Sequence, residues 1–227
     1  MPHTLTSTPS GRVGPQDHAP RRPAHHAPGP LCSPDDIRVI VRPIRDEDAE
    51  GLARAYTQLS EQSRWRRFLS VAEQIPPGLL RYLTSVDHQS HVAVVAIDPD
   101  TEEILGSARY IRIPGRRPVT AELAVEVIDR WQRRGLGRVL LHALGRLAQA
   151  NGVERLLAIV SNDNVPMQLL MRRTGATLET TGSELEYTID PEALAQLLPA
   201  IGSHRQPAAL QLAPWRFGKP SIATAPA

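Results

Sequence analysis

Gln132-Arg133-Arg134-Gly135-Leu136-Gly137-Arg138 stands between a strand-like run, Ala121 to Ile128, and a strongly helical one. A strand, a glycine turn and a helix in that order make a phosphate site. Glycine has no Cβ, so Gly135 and Gly137 can take positive φ and let the backbone approach a ligand with several N–H groups aimed together. The helix that follows adds its unpaired first-turn amides and the positive end of its dipole. Arg133, Arg134 and Arg138 place full charges around that partial one, which suits two or three phosphates better than a carboxylate. The expected ligand is a polyanion such as a pyrophosphate. A P-loop would need G-x-x-x-x-G-K-[ST], and a dinucleotide fold G-x-G-x-x-G within a βαβ unit. Neither is present.

The pattern that stands here, Q-x-x-G-x-G after a strand, resembles the coenzyme A pyrophosphate loop of the GNAT superfamily of N-acetyltransferases. Ala121-Glu122-Leu123-Ala124-Val125-Glu126-Val127 before the loop, and Asn164 and Gly175 after it, fall where that family places its strand, its second coenzyme contact and its closing turn. RPIRDEDA (42–49) and SEQSRWRRFLS (60–70) resemble, more loosely, the GNAT domain of bacterial protein lysine acetyltransferases. The resemblance implies an α+β fold: a central mixed, mostly antiparallel sheet of about seven strands with helices on both faces. Without it, the stretch reads as a tight strand-to-helix connection with three solvated arginines.

The chain of 227 residues is long enough for one domain with a real core plus tails. Its formal charge of +2 and 4% aromatic content do not describe a nucleic-acid binder, which needs a basic surface with interleaved aromatics. Lys219 is the only lysine, so every other basic residue is arginine, a bias that discounts any single arginine as evidence of function. Cys32 is alone, which excludes a disulfide framework or a cysteine metal site. No apolar run reaches the 18 or so residues of a membrane span, so a cytoplasmic protein is expected, with no membrane partner and no metal.

Residues 1–36 are rich in proline and histidine and poor in large apolar side chains, as a disordered tail is. The histidines there, His3, His18, His25 and His26, lack a second ligand cluster. The domain is expected over 37–198. It opens with the β-branched run Ile37 to Arg45; Asp46-Glu47-Asp48 then starts a helix to about Leu59, followed by short helices at Ser60 to Ser70 and from Pro76-Pro77. Val92–Ile97, Ile104–Ile113 and Thr120–Ile128 read as a meander that feeds the loop. In its last strand Leu123, Val125 and Val127 share one face, and Glu122, Ala124 and Glu126 the other. From Leu136 an apolar stripe at helical spacing runs to a stop at Asn151-Gly152, with Arg138, a solvated His142 and Arg146 opposite. Leu156 to Val160, joined by that helical crossover, should run parallel to its predecessor. A helix from Asn164 to Thr174, a closing hairpin (Thr177 to Thr181, Leu185 to Ile189) and a short helix from Asp190-Pro191 to about Leu198 complete the domain. The segment 199–227 returns to tail composition. Within it, Trp215-Arg216-Phe217 is either two chance aromatics in a solvated tail or a segment that docks on the domain or on a second subunit.

The family resemblance also implies the chemistry: acetyl-CoA as co-substrate, and a primary amine as acceptor, a protein lysine or a small molecule, that attacks the thioester directly in a ternary complex. The coenzyme contacts it implies are Val125, Glu126 and Val127 through the strand backbone, Gln132, Arg133, Arg134, Gly135, Leu136, Gly137 and Arg138 in the loop, and Asn164, which could equally be a plain helix cap. The implied general base is Glu122, the glutamate after Ala121. Glu126, about 13 Å away along the strand at ~3.3 Å per residue, cannot serve the same atom. Paired instead with an arginine such as Arg109, Glu122 would be only an edge carboxylate. Two positions depart from the family: Met171 stands where many members carry a tyrosine general acid, and Gly175-Ala176 replaces the Gly-Phe closing pair. A noncatalytic acyl-CoA-binding module is the alternative that this departure leaves open.

Overall fold

A computed structural model describes residues 39–68, 70–181, 184–197 and 210–212. The N-terminal segment 1–36, the end of the last helix near Leu198 and the Trp215-Arg216-Phe217 segment lie outside the described residues.

The first strand, β1 (Val39–Pro43), is followed by a single 3-10 turn, Asp46–Asp48, and α1 (Ala49–Thr57). Asp48 takes a bidentate pair from Arg42, at 2.6 and 2.7 Å, and the Arg45 amide at 2.8 Å, which fixes the exit from β1. Two short helices follow, α2 (Glu61–Phe68) and α3 (Pro77–Thr84). The meander is β2 (His91–Ile97), β3 (Ile104–Arg112) and β4 (Thr120–Val127), antiparallel throughout. β2 is almost wholly buried, as a continuously apolar strand covered on both faces must be.

The crossover helix α4 (Leu136–Ala150) ends at Asn151-Gly152, with Gly152 at φ 70°. It returns the chain to β5 (Arg155–Ser161), which pairs parallel with β4 as expected. α5 (Val165–Arg173) stops at Gly175, φ 69°, and the hairpin β6 (Thr177–Thr181) and β7 (Glu184–Ile189) follows. α6 (Pro191–Ala195) starts on Asp190, whose carboxylate accepts from the Glu192 amide at 2.8 Å. The sheet order is β6-β7-β5-β4-β3-β2-β1, extended at its far edge by a three-residue strand, β8 (Leu210–Leu212), parallel to β1. That strand comes from the part of the chain read as a C-terminal tail.

Helices cover both faces. Ser107, Arg109 and Glu126 share the face under α1, α2 and α3, while Ala108, Tyr110 and Leu123 share the face that packs on α4. α4 is itself locked from outside by α6. A Cβ on Gly145 would lie 2.6 Å from the Ala195 nitrogen and 2.8 Å from the Pro191 oxygen, so only glycine lets the two helices come this close.

Candidate active site

The sheet opens where β4 leaves β5. Their pairing runs only from Thr120, Ala121 and Glu122 to Arg155, Leu156 and Leu157; β4 continues to Val127 and β5 to Ser161 with no pairing between them. The gap leads into a cleft of about 600 Å³, bounded by β4 from Val125 to Val127, the glycine loop, α2 and the first turns of α5. Every residue expected to touch coenzyme lines it except Leu136, whose side chain is buried in the core.

The loop's geometry differs in detail from the expectation. Gly135 is at φ 93° and caps α4 from the left-handed region, but Gly137 lies inside the helix; the second positive φ belongs to Arg133, at 59°. Helix α4 begins one residue after Gly135, so Gly137 has no need of a left-handed backbone. Nor is it small for packing reasons, because a Cβ there would meet only Leu170 Cδ2, at 3.9 Å. The Gln132 side-chain amide holds the approach to the loop, donating to the Val127 carbonyl at 3.0 Å, Asp129 Oδ1 at 3.1 Å and Ser63 Oγ at 3.1 Å. Arg134 stacks on Trp131, 5.3 Å from its centroid. Arg138 donates to the Leu197 carbonyl at 2.6 Å. With Arg173 it also borders a second cavity of about 350 Å³ that runs to α6.

The two carboxylates of β4 differ sharply. Glu126 is nearly enclosed: Arg67 Nε reaches it at 2.6 Å, and Ser107 donates its hydroxyl to the other oxygen. Glu122 is exposed, sits opposite Ile111 on one side and Leu157 on the other, and makes no hydrogen bond or ion pair among the described residues. The pairing with Arg109 that would make it an edge carboxylate does not form. Arg109 pairs across the sheet with Ala124, is 2% exposed, and gives Nη1 to the Leu83 carbonyl at 2.9 Å; its Nε and Nη2 have no hydrogen-bond partner. Burial lowers its pKa to about 10, an effect that the Glu126 charge opposes.

On the far wall, Asn164 Oδ1 accepts from the Met167 amide at 3.3 Å, so it caps α5 while bordering the cleft. Met171 is fully buried and does not border the cleft, and among the described residues no tyrosine lines it. His142 is half-buried against α6 rather than solvated; burial and the neighbouring Arg146 lower its pKa. Sequence reasoning did not single out the α2 side chains Ser63, Arg66 and Arg67, or Leu170 and Arg173 on α5, all of which line the cleft. The run Arg64-Trp65-Arg66-Arg67 was the available signal, muted by a chain in which nearly every cation is arginine.

A family model described as an acetyltransferase (GNAT) domain matches residues 38–177. The chain is 35% identical over 136 residues to Acetyltransferase Pat of Mycolicibacterium smegmatis, a match spanning 60% of this chain but only 40% of that protein. It is 33% identical over 136 residues to Acetyltransferase PA5475 of Pseudomonas aeruginosa, covering 59% of this chain and 72% of the relative. Among solved structures, the GNAT domain of S. lividans PAT superposes with a TM-score of 0.62 at 28% identity, covering 66% of this chain and 89% of that one. The family match spans the strands, loop and helices that form the cleft, and the chain belongs to the acetyltransferase (GNAT) domain family.

Proposed function

We propose that this domain transfers an acetyl group from acetyl-CoA to a primary amine, a protein lysine or a small-molecule amine, by direct attack in a ternary complex. The observation that carries the reading is the parting of β4 from β5 immediately after Glu122, which leads an unpaired strand edge straight to a glycine-capped helix N-terminus. Acetyl-CoA supplies an activated thioester. The chain's own residues do the rest.

From Val125 to Val127 the edge of β4 turned away from β3 has no strand beside it, and apart from the Val127 carbonyl, which Gln132 holds, it is open to an amide-bearing arm that pairs as an added strand would. The first amides of α4 have no intrahelical acceptor and face the dipole's positive end, which suits a pyrophosphate. The space left by Gly137 fits the same occupant, since a Cβ there would meet only Leu170 Cδ2, at 3.9 Å. Arg134, Arg138 and Arg173 surround that end with charge.

An unperturbed lysine is neutral in only about one molecule in a few thousand at pH 7, so the acceptor needs a base. Glu122 is suited to that role because it is exposed at the apex of the gap and has no counter-ion among the described residues. Glu126, occupied by Arg67 and Ser107, serves the cleft's structure. With Met171 buried, the departing thiolate takes its proton from solvent, which its modest basicity allows.

The proposed limits of the domain are 37–198, with 1–36 and 199–227 as appendages, the latter contributing β8. We place the protein in the cytoplasm. The described residues include no helix long and apolar enough to cross a membrane and no cluster of three or more His, Cys, Asp or Glu that could hold a metal ion.

The discriminating experiment is Glu122→Gln. It is expected to keep coenzyme affinity within twofold while turnover on an amine panel drops by about 10²–10⁴. Unchanged turnover removes Glu122 as the base. If the wild-type protein binds coenzyme A but acylates no amine in the panel, the noncatalytic reading takes its place.

A further inference from the structure

Helix α2 forms the roof of the cleft, yet none of its residues is buried. Its C-terminal end is seated by contact: Phe68 meets Tyr56 edge-on at 5.2 Å between centroids, and Tyr56 itself donates to the Ala72 carbonyl at 2.8 Å. The rest of the helix is held by polar bonds that reach three different walls of the cleft. Arg66 binds Asp163, just before α5, through Nη2 at 2.7 Å to the carboxylate and 2.8 Å to the carbonyl, with Gln62 adding a bond at 3.2 Å. Arg67 binds Glu126 on β4, and Gln132 of the loop donates to Ser63. The helix therefore bridges β4 and the turn that follows β5, across the gap where the two strands part.

Two of these anchors differ in how readily they release. The Arg66–Asp163 clasp lies at the surface, with the Asp163 side chain 56% exposed, so water replaces either partner at little cost. The Arg67–Glu126 pair is enclosed, and withdrawing Arg67 alone would strand a buried carboxylate, which is strongly unfavourable. A second cation stands on the same face. Arg109 on β3 is the diagonal cross-strand neighbour of Glu126, within reach of a long side chain, and its Nε and Nη2 are buried without hydrogen-bond partners among the described residues.

We propose that α2 is a hinged lid over the cleft, pivoting at Phe68, clasped by Arg66–Asp163, and able to lift because Glu126 passes from Arg67 to Arg109. The identity of what it retains, coenzyme A, rests on the function proposed above; the hinge itself does not. Closing retains the ligand, and lifting admits it.

The test is amide hydrogen exchange across Glu61–Phe68 in the full chain, without ligand and with coenzyme A, beside stopped-flow release of coenzyme A. In Arg66→Ala and Asp163→Asn, α2 exchange in the free protein should rise about three- to fivefold, with no further rise in the double variant, and coenzyme release should quicken by the same factor. Arg109→Met should slow α2 exchange, since lifting would then leave Glu126 alone; if that variant does not fold, Arg109→Gln tests the same step. Unchanged α2 exchange in Asp163→Asn overturns the clasp, and unchanged or faster exchange in the folded Arg109 variant overturns the exchange of partners. Absence of coenzyme binding in the wild type would refute the proposed ligand, and exchange in the free protein would still decide the lid.

Discussion

Helix α4 carries two glycines whose replacement by alanine should have opposite effects, and the pair separates a ligand requirement from a packing requirement. At Gly137 a new Cβ would approach nothing closer than Leu170 Cδ2, at 3.9 Å, an ordinary contact. Alanine then only gains helix propensity, ~1 kcal/mol in a helix interior and about half that in a first turn. For a domain of this size the melting temperature should rise by ~1–2 °C. At Gly145 the same Cβ would sit 2.6 Å from Ala195 N and Leu194 Cβ and 2.8 Å from Pro191 O. Two of these are backbone atoms, so α6 must shift. Overpacking costs ~1–3 kcal/mol, here at the upper end, and offsets the propensity gain to leave ~2 kcal/mol of destabilisation, or ~4–8 °C. Scanning calorimetry gives both shifts. Titration with coenzyme A then distinguishes them again: Gly137→Ala should bind at least tenfold more weakly despite its higher melting point, because the new methyl occupies ligand space, whereas folded Gly145→Ala should bind as the wild type does. Coenzyme affinity of Gly137→Ala within twofold of wild type would mean that the glycine is not set by the ligand. A melting temperature for Gly145→Ala equal to wild type would refute the packing argument.

Gly135→Val should abolish coenzyme binding while the domain stays folded, because φ 93° disfavours a β-branched residue and the loop must rearrange; calorimetric binding equal to wild type would refute this. Stability should fall on acidification from pH 7 towards 5. His91 is depressed by burial and then by Arg109, and His142 by burial and then by Arg146, so below the ordinary value of 6.5 the unfolded chain takes up protons that the folded one refuses. Stability is then full above 6.5 and lost below it; denaturant midpoints across that range should flatten in His91→Gln/His142→Gln, and an unaltered slope would refute the assignment. Asp163, held down to about 2 chiefly by Arg66, keeps the α2 clasp charged through the same window, so α2 exchange should not change between pH 7 and 5 once corrected for intrinsic rates. A chain of residues 37–212, which retains β8, should bind coenzyme A like the full protein; a tenfold loss would place part of the site in the appendages.

What the sequence revealed and what it concealed divide along sequence distance. The strands could be read because pleat and burial act locally: β2 is continuously apolar because it is covered twice, and β4 alternates because one of its faces meets α4 and the other holds Glu122 and Glu126. The stops at Gly152 and Gly175 follow from the left-handed conformation each adopts. The parallel return of β5 follows from the crossover. Which of Gly135 and Gly137 would be left-handed depended on where α4 starts, a boundary that shifts by a residue or two on local signals alone. The environments of side chains depended on partners far away in sequence. Glu126 is neutralised by Arg67, 59 residues earlier, and nothing near either residue announces the other. His142 lies on the polar side of an amphipathic helix and reads as solvated until α6, nearly fifty residues later, covers it; the same helix explains Gly145, which periodicity alone treats as an arbitrary small residue. Glu122 is the opposite case. No described side chain pairs with it, so its surroundings are set by its place on β4 and by its strand neighbours Ile111 and Leu157, which follow from the meander and the crossover. A carboxylate that must accept a proton from a transient acceptor is best left without a resident cation, and that is the physical ground on which Glu122, singled out by the family resemblance, is proposed to act.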